Sequence, residues 1–258
     1  MFRALRELYK YRELTAHLVL LTLKTRYRGS FLGFFWTLLN PLLLMLVLWG
    51  VFSRVARVQE EFYALFLLSG LIVWMFFSQS VDAGQNSIVK QYSLIQKIYV
   101  PKIVFPVAVV TSNFVNFVFS LIAYILIAII ASYPIMPSMI LLPVAFIMLY
   151  LLTVGSALMM STLNVFFRDF THLTATMLRA LFYLTPVIYP VSLFGEKAAF
   201  ILKFNPAYYP VTVIRDLLYY GTLSTLSTWL IGFAVALTIF VLGSVIFVKN
   251  EDNFIFYA

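Results

Sequence analysis

The chain has no cysteine. Disulfides, thiol catalysis and cysteine-held metal are therefore excluded. Charge is also scarce: 11% of residues are charged and only 10 are acidic, where a soluble domain carries about a quarter charged residues. There is too little polar surface to cover a water-soluble globule. The two histidines, His17 and His172, are too far apart for metal-ligand spacing. Asp82, Asp169 and Asp216 each stand alone, so the sequence shows no carboxylate pair to hold a catalytic metal. No Gly-x-x-x-x-Gly-Lys-Ser/Thr loop is present to cradle a nucleotide, and no Gly-x-Ser-x-Gly elbow. No expected membrane span carries an interior Asp or Glu, which argues against proton- or sodium-driven transport.

Apolar residues are abundant. They make up 63% of the 258 residues, and the mean hydropathy is +0.97. Long apolar runs predict an all-α membrane protein; the short alternating segments of a membrane barrel do not appear. Six spans are expected, at about 31–53, 62–81, 103–131, 139–163, 173–190 and 224–248, each able to cross the ~30 Å hydrocarbon core. The charged N-terminus does not read as a cleaved signal. With both termini in the cytoplasm, most of the 18 lysines and arginines lie inside, and the outer segments hold only Arg54, Arg57, Lys197, Lys203 and Arg215. That asymmetry sets the expected orientation. The net charge of +8 then fits anionic lipid headgroups rather than nucleic acid.

Residues 1–30 show a second pattern. At ~100° per residue, Arg3, Arg6, Lys10, Glu13, His17, Lys24 and Arg28 share one narrow arc, with Ala4, Leu8, Tyr11, Leu18 and Thr22 opposite. An amphipathic helix along the inner membrane surface is expected, as a lipid anchor or as an elbow that also docks a partner. Asn40-Pro41 interrupts the hydrogen bonding of the first span, and the Gly29-x-x-x-Gly33 spacing suits close helix approach. The inner loop 82–102 interleaves Lys90, Lys97 and Lys102 with Ile88, Tyr92, Leu94, Ile95, Ile98 and Tyr99. It reads as a short surface helix suited to a partner. Residues 191–223 are too polar and proline-broken to span. They read as short re-entrant helices, tolerated at membrane depth only under cover of protein or a water-filled cavity.

Arg179 falls inside the fifth expected span; it snorkels inward or lines a path for an anionic group. There are 26 Phe, 16 Tyr and 4 Trp. Many of these serve packing and the interfacial belt. Tyrosines near the outer ends, such as Tyr183, Tyr189, Tyr208 and Tyr209, also suit a sugar, whose ring faces stack on aromatics while the phenol bonds hydroxyls.

Several stretches together resemble the permease subunit of type-2 ABC exporters, in the polysaccharide, O-antigen and teichoic-acid export branch. They are Arg26-Tyr-Arg-Gly-Ser-Phe-Leu-Gly-Phe-Phe-Trp36 with Leu39-Asn-Pro41, Leu94-Ile-Gln-Lys-Ile-Tyr-Val-Pro-Lys102, Asn164-Val-Phe-Phe-Arg-Asp169, Thr185-Pro-Val-Ile-Tyr-Pro190, and Asn205-Pro followed by Arg215. They run in the family's order through nearly the whole chain, which then forms a single transmembrane domain over 1–258. The resemblance implies a homodimer in the bacterial inner membrane, bound to two cytoplasmic ATPase subunits. ATP and Mg bind in the partner, so this chain is a transport subunit and not an enzyme.

The resemblance also assigns roles. Arg3, Arg6, Lys10, Tyr92, Lys97, Tyr99, Arg168 and Asp169 would face the ATPase. Phe31, Phe35, Arg179, Tyr183, Tyr189, Tyr208 and Tyr209 would line the channel and its outer gate. Lys24, Arg26 and Arg28 would attract the pyrophosphate of a polyprenyl-linked glycan through charge-assisted bonds. Rival readings are an exporter of a drug or another lipid, a channel or scaffold without an ATPase, and a membrane enzyme acting on polyprenyl phosphate.

Overall fold

A computed structural model describes residues 2–26, 28–55, 60–97, 100–193 and 196–257. Arg57, Tyr99 and the side chains of Arg3 and Arg54 lie outside the described residues. All the secondary structure described is helical.

Helices α1 (Phe2–Lys10) and α2 (Arg12–Arg26) open the chain. Leu8, Leu14 and Leu18 pack against the bundle, while Arg6, Lys10 and Lys24 stay exposed. These three leucines are thus turned to protein, where the segment runs along the helix of residues 104–130, while Leu20 and Leu21 are exposed. Gly29 and Gly33 follow with φ of +79° and +49°. They turn the chain in a conformation that L side chains rarely adopt. A Cβ at either glycine meets nothing within 4 Å, so their spacing serves this turn and not the helix contact expected from it.

Helix α3 (Trp36–Val55) buries one stripe, Thr37, Pro41 and Met45, at the four-residue spacing of a helix face. Only 17% of this span is buried, against 78% of α4 (Tyr63–Gln85). The difference makes α4 the central post and α3 an outer stave. Two single turns, α5 (Ser87–Lys90) and α6 (Tyr92–Ile95), lie in the loop 82–102. Ile88 and Ile95 point inward and Lys90 and Lys97 outward, as the alternating composition anticipates.

Helices α7 (Val104–Ile130) and α8 (Leu142–Phe166) flank α4. After α9 (Phe170–Leu184), α10 (Glu196–Leu202) and α11 (Tyr208–Arg215), the chain makes a π turn over 216–220 and then forms α12 (Leu226–Asn250). Helices α8 and α12 make the closest crossing. A Cβ on Gly243 would stand 2.1 Å from the Gly155 carbonyl oxygen, and one on Gly155 would stand 2.5 Å from the Phe240 Cα. Only glycine permits this approach.

Among the described residues, five helices are long and apolar enough to cross a membrane. The fifth expected span is shorter than anticipated. Its helix has 15 residues, about 22 Å, and stops at Leu184 rather than near residue 190. Thr185 precedes Pro186 and adopts φ −101°, ψ 135°, the extended conformation that a following proline favours.

The end of the bundle that holds the end of α4 and the start of α9 is tied by polar contacts. The Asn164 side chain donates to the Gln85 carbonyl at 3.1 Å and accepts from Thr171 Oγ1 at 2.7 Å. It thereby joins α8 to the ends of α4 and α9. Lys102 Nζ donates to the Glu251 carbonyl. Burial lowers the Lys102 pKa, and the Glu251 and Asp252 carboxylates oppose that shift.

Candidate functional site

Between α3, α4 and α7 lies a cavity of about 480 Å³, with Arg26 at its rim. Its depth follows from residue position at ~1.5 Å per residue. Asn113 and Asn116 lie about 13 and 18 Å along α7, and Gln79 lies about 9 Å from the C-terminal end of α4. Asn40 and Pro41 of α3 complete the wall. Pro41 lacks the N–H that would bond the Thr37 carbonyl, and both residues line the cavity. Amides within spans usually bond across helices and act as glue. Here Asn40 and Gln79 form no hydrogen bond among the described residues. Arg26 Nη2 donates to Asn113 Oδ1. The Asn113 amide nitrogen is buried with no partner among the described residues. Aromatic surface from Trp36, Phe76 and Phe117 lies alongside.

The basic trio expected at this rim is divided. Arg26, itself exposed, also lines a second cavity of about 400 Å³ with Thr22, Ser87 and Lys90, and its guanidinium reaches the bundle at Asn113. Lys24 and Arg28 are exposed beside Leu21, Leu23 and Thr25 in a separate shallow groove. Arg6, Lys10, Lys97, Arg168 and Asp169 are exposed at the same end, and Tyr92 is half-buried.

The residues expected at the channel and gate also separate into two groups. Phe31, Phe35 and Tyr183 are exposed, as is Arg179; they leave the surfaces of α3 and α9 uncovered. Tyr208 and Tyr209 are buried, packed with Leu202, Tyr189 and Val235. Tyr209 donates to the Lys203 carbonyl at 3.0 Å, and Tyr189 to that of Tyr183. These three tyrosines brace the re-entrant segment from within.

One buried residue, Arg215, counts in the sequence as an outer charge and as part of the family pattern, with no site role assigned to it. Arg215 is 3% exposed. Its guanidinium donates to the carbonyls of Pro186 and Val187, the latter at 2.9 Å, and to Ser69 Oγ at 3.3 Å. It also stacks 3.9 Å from the Phe66 ring centroid. Gly70 makes room for it: a Cβ there would stand 2.2 Å from Arg215 Nη2. Beyond Arg215, the π turn is gripped at its carbonyls by Ser138, Tyr124 and Tyr133. Glu60 accepts from the Tyr219 and Tyr220 hydroxyls at 3.0 and 3.2 Å. The segment 186–220 is thus clamped to the start of α4, the end of α7 and the start of α8.

An all-helical bundle with several crossing helices and a polar groove opening among them is the architecture of a multi-pass membrane permease. The chain belongs to the ABC-2 type transporter family, whose model matches residues 13–219. It is 35% identical over 258 residues to an O-antigen export system permease protein of Myxococcus xanthus, covering 98% of each chain. Two proteins of Klebsiella pneumoniae with the same description are 31% and 32% identical over 205 residues, 78% of each chain.

Proposed function

We propose that this chain is the membrane subunit of an ATP-driven exporter that moves an O-antigen-type polysaccharide, carried on polyprenyl pyrophosphate, from the inner to the outer face of the bacterial inner membrane. The relatives' shared description supports the cargo. The observation that carries the site is Arg26, at the end of α2, turned toward a polar cavity among the spans. Arginine's forked donors match phosphate geometry, and Lys24 and Arg28 add attraction at the rim.

Two copies pair through the uncovered surfaces of α3 and α9. Phe31, Phe35, Arg179 and Tyr183 then line the path between them. The exposed basic face of α1 and α2, the turns α5 and α6, and the loop at Arg168 and Asp169 rest on two cytoplasmic ATPase subunits, which bind ATP and Mg. Closure of those subunits pushes the surface helices and shifts α3 and α9 apart. The clamped re-entrant segment forms the outer gate.

The test is export in a strain whose only copy is the Arg26→Gln/Arg28→Gln variant. The surface polysaccharide should fall at least tenfold, which is about 1.4 kcal/mol of lost headgroup attraction, while immunoblots show normal membrane insertion. Unchanged export would remove the headgroup role. Failure of an ATP-hydrolysing subunit to co-purify with this chain would remove the exporter itself.

A further inference from the structure

We infer that the cavity between α3, α4 and α7 is a sugar-phosphate subsite. Arg26 takes the phosphate, and Asn113, Gln79 and Asn40 take hydroxyls of the sugar attached to it. The inference rests on the export reading and adds to it where the first sugar is read. Three observations carry it.

The polar lining is mixed in a particular way: one cation, several neutral amides and no carboxylate. Arginine only donates, whereas an amide both donates and accepts. A sugar hydroxyl also does both, so the set fits a polyol joined to an anion better than an anion alone. The Asn113 nitrogen is a buried donor without a partner, a state that costs about 1–3 kcal/mol and that a ligand oxygen relieves. Finally, Trp36, 37% exposed, lines the same cavity, and an indole face suits the C–H face of a sugar ring. The volume of about 480 Å³ lies within the range of small-ligand sites, roughly 300–1,000 Å³.

The full chain in lipid nanodiscs is titrated with three probes. They are a short polyprenyl pyrophosphate carrying one hexose, the same pyrophosphate without sugar, and phosphatidylglycerol. The hexose-bearing probe should bind at least tenfold more tightly than the bare one. Asn113→Leu and Gln79→Leu should each shrink that ratio toward one while leaving affinity for the bare probe within threefold. Arg26→Gln should weaken both pyrophosphates. Equal affinity for the two pyrophosphates, or a ratio that survives both amide changes, overturns the subsite. So does competition by phosphatidylglycerol as strong as that by the hexose probe, which assigns the cavity to a bilayer headgroup. Gln79 is exposed and unbonded among the described residues, so its variant keeps the test open if Asn113→Leu does not fold. These titrations need no ATPase, and their failure is separate from a failure of the export reading.

Discussion

At the residue scale, position along a helix decides more than residue type. Lys24, Arg26 and Arg28 form a single basic cluster in sequence. At ~100° per residue, however, Arg26 falls on the side of Leu8, Leu18 and Thr22, the face that packs on the bundle. Its separation from its neighbours was therefore legible from the helical arc, although charge alone hides it. The Arg215–Gly70 pair was not legible: the two residues are remote in sequence, and nothing local marks a glycine as the floor beneath a guanidinium. That pair gives a sharp prediction. Arg215→Met leaves two carbonyls and Ser69 without their donor and should destabilise the detergent-solubilised chain by about 3 kcal/mol. Gly70→Ala should also destabilise it, because its Cβ evicts the same guanidinium. Thermal unfolding of the double variant should show less than the sum, since both changes remove one interaction. Full additivity would mean that the two residues act independently.

At the element scale, the long spans were readable because uninterrupted apolar runs have few other uses in a chain of this composition. The expected spans at 62–81, 103–131 and 224–248 correspond to α4, α7 and α12 with small shifts at the ends. The end of α9 was misplaced because hydropathy continues through Val187 and Ile188, whereas the backbone responds to Pro186. The warning was in the sequence as Thr185-Pro186. Helix pairing was less readable. Gly29 and Gly33 carry the conspicuous spacing yet form a turn, while the closest crossing uses Gly155 and Gly243 on different helices. A methyl on Gly243 would meet backbone, which cannot swing aside, so α8 and α12 must part. Gly243→Ala should cost about 1–3 kcal/mol in the same unfolding measurement. Thr238→Ala, on the exposed face of α12, should stay within about 0.5 kcal/mol. Equal effects at the two positions would remove the close crossing as a determinant of stability.

At the scale of the whole molecule, contacts between elements order the two ends of the bundle. Lys102 meets Glu251, and the Phe166 ring meets that of Phe254 at 6.0 Å; the starts of α7 and the ends of α8 and α12 therefore share one end. Ser138 meets Leu217, and Glu60 meets Tyr219, which places the close of the re-entrant segment at the other. The chain must thus travel from one end to the other between Phe170 and Tyr220. Helix α9 is too short to span the ~30 Å core alone, so the passage is completed by the segment that Arg215 anchors. Since the protein has no cysteine, single cysteines at exposed Arg12, Lys97, Lys203 and Asn253 report topology without background. In intact cells stripped of their outer barrier, an impermeant maleimide should label only Lys203→Cys, and the other three should react only after the membrane is opened. Labelling of Asn253→Cys from outside with Arg12→Cys still protected would mean that residues 170–220 do not complete a crossing. It would place the termini on opposite faces and withdraw the re-entrant gate. Protection of Lys203→Cys with Asn253→Cys still inside would instead bury the gate beneath the second subunit.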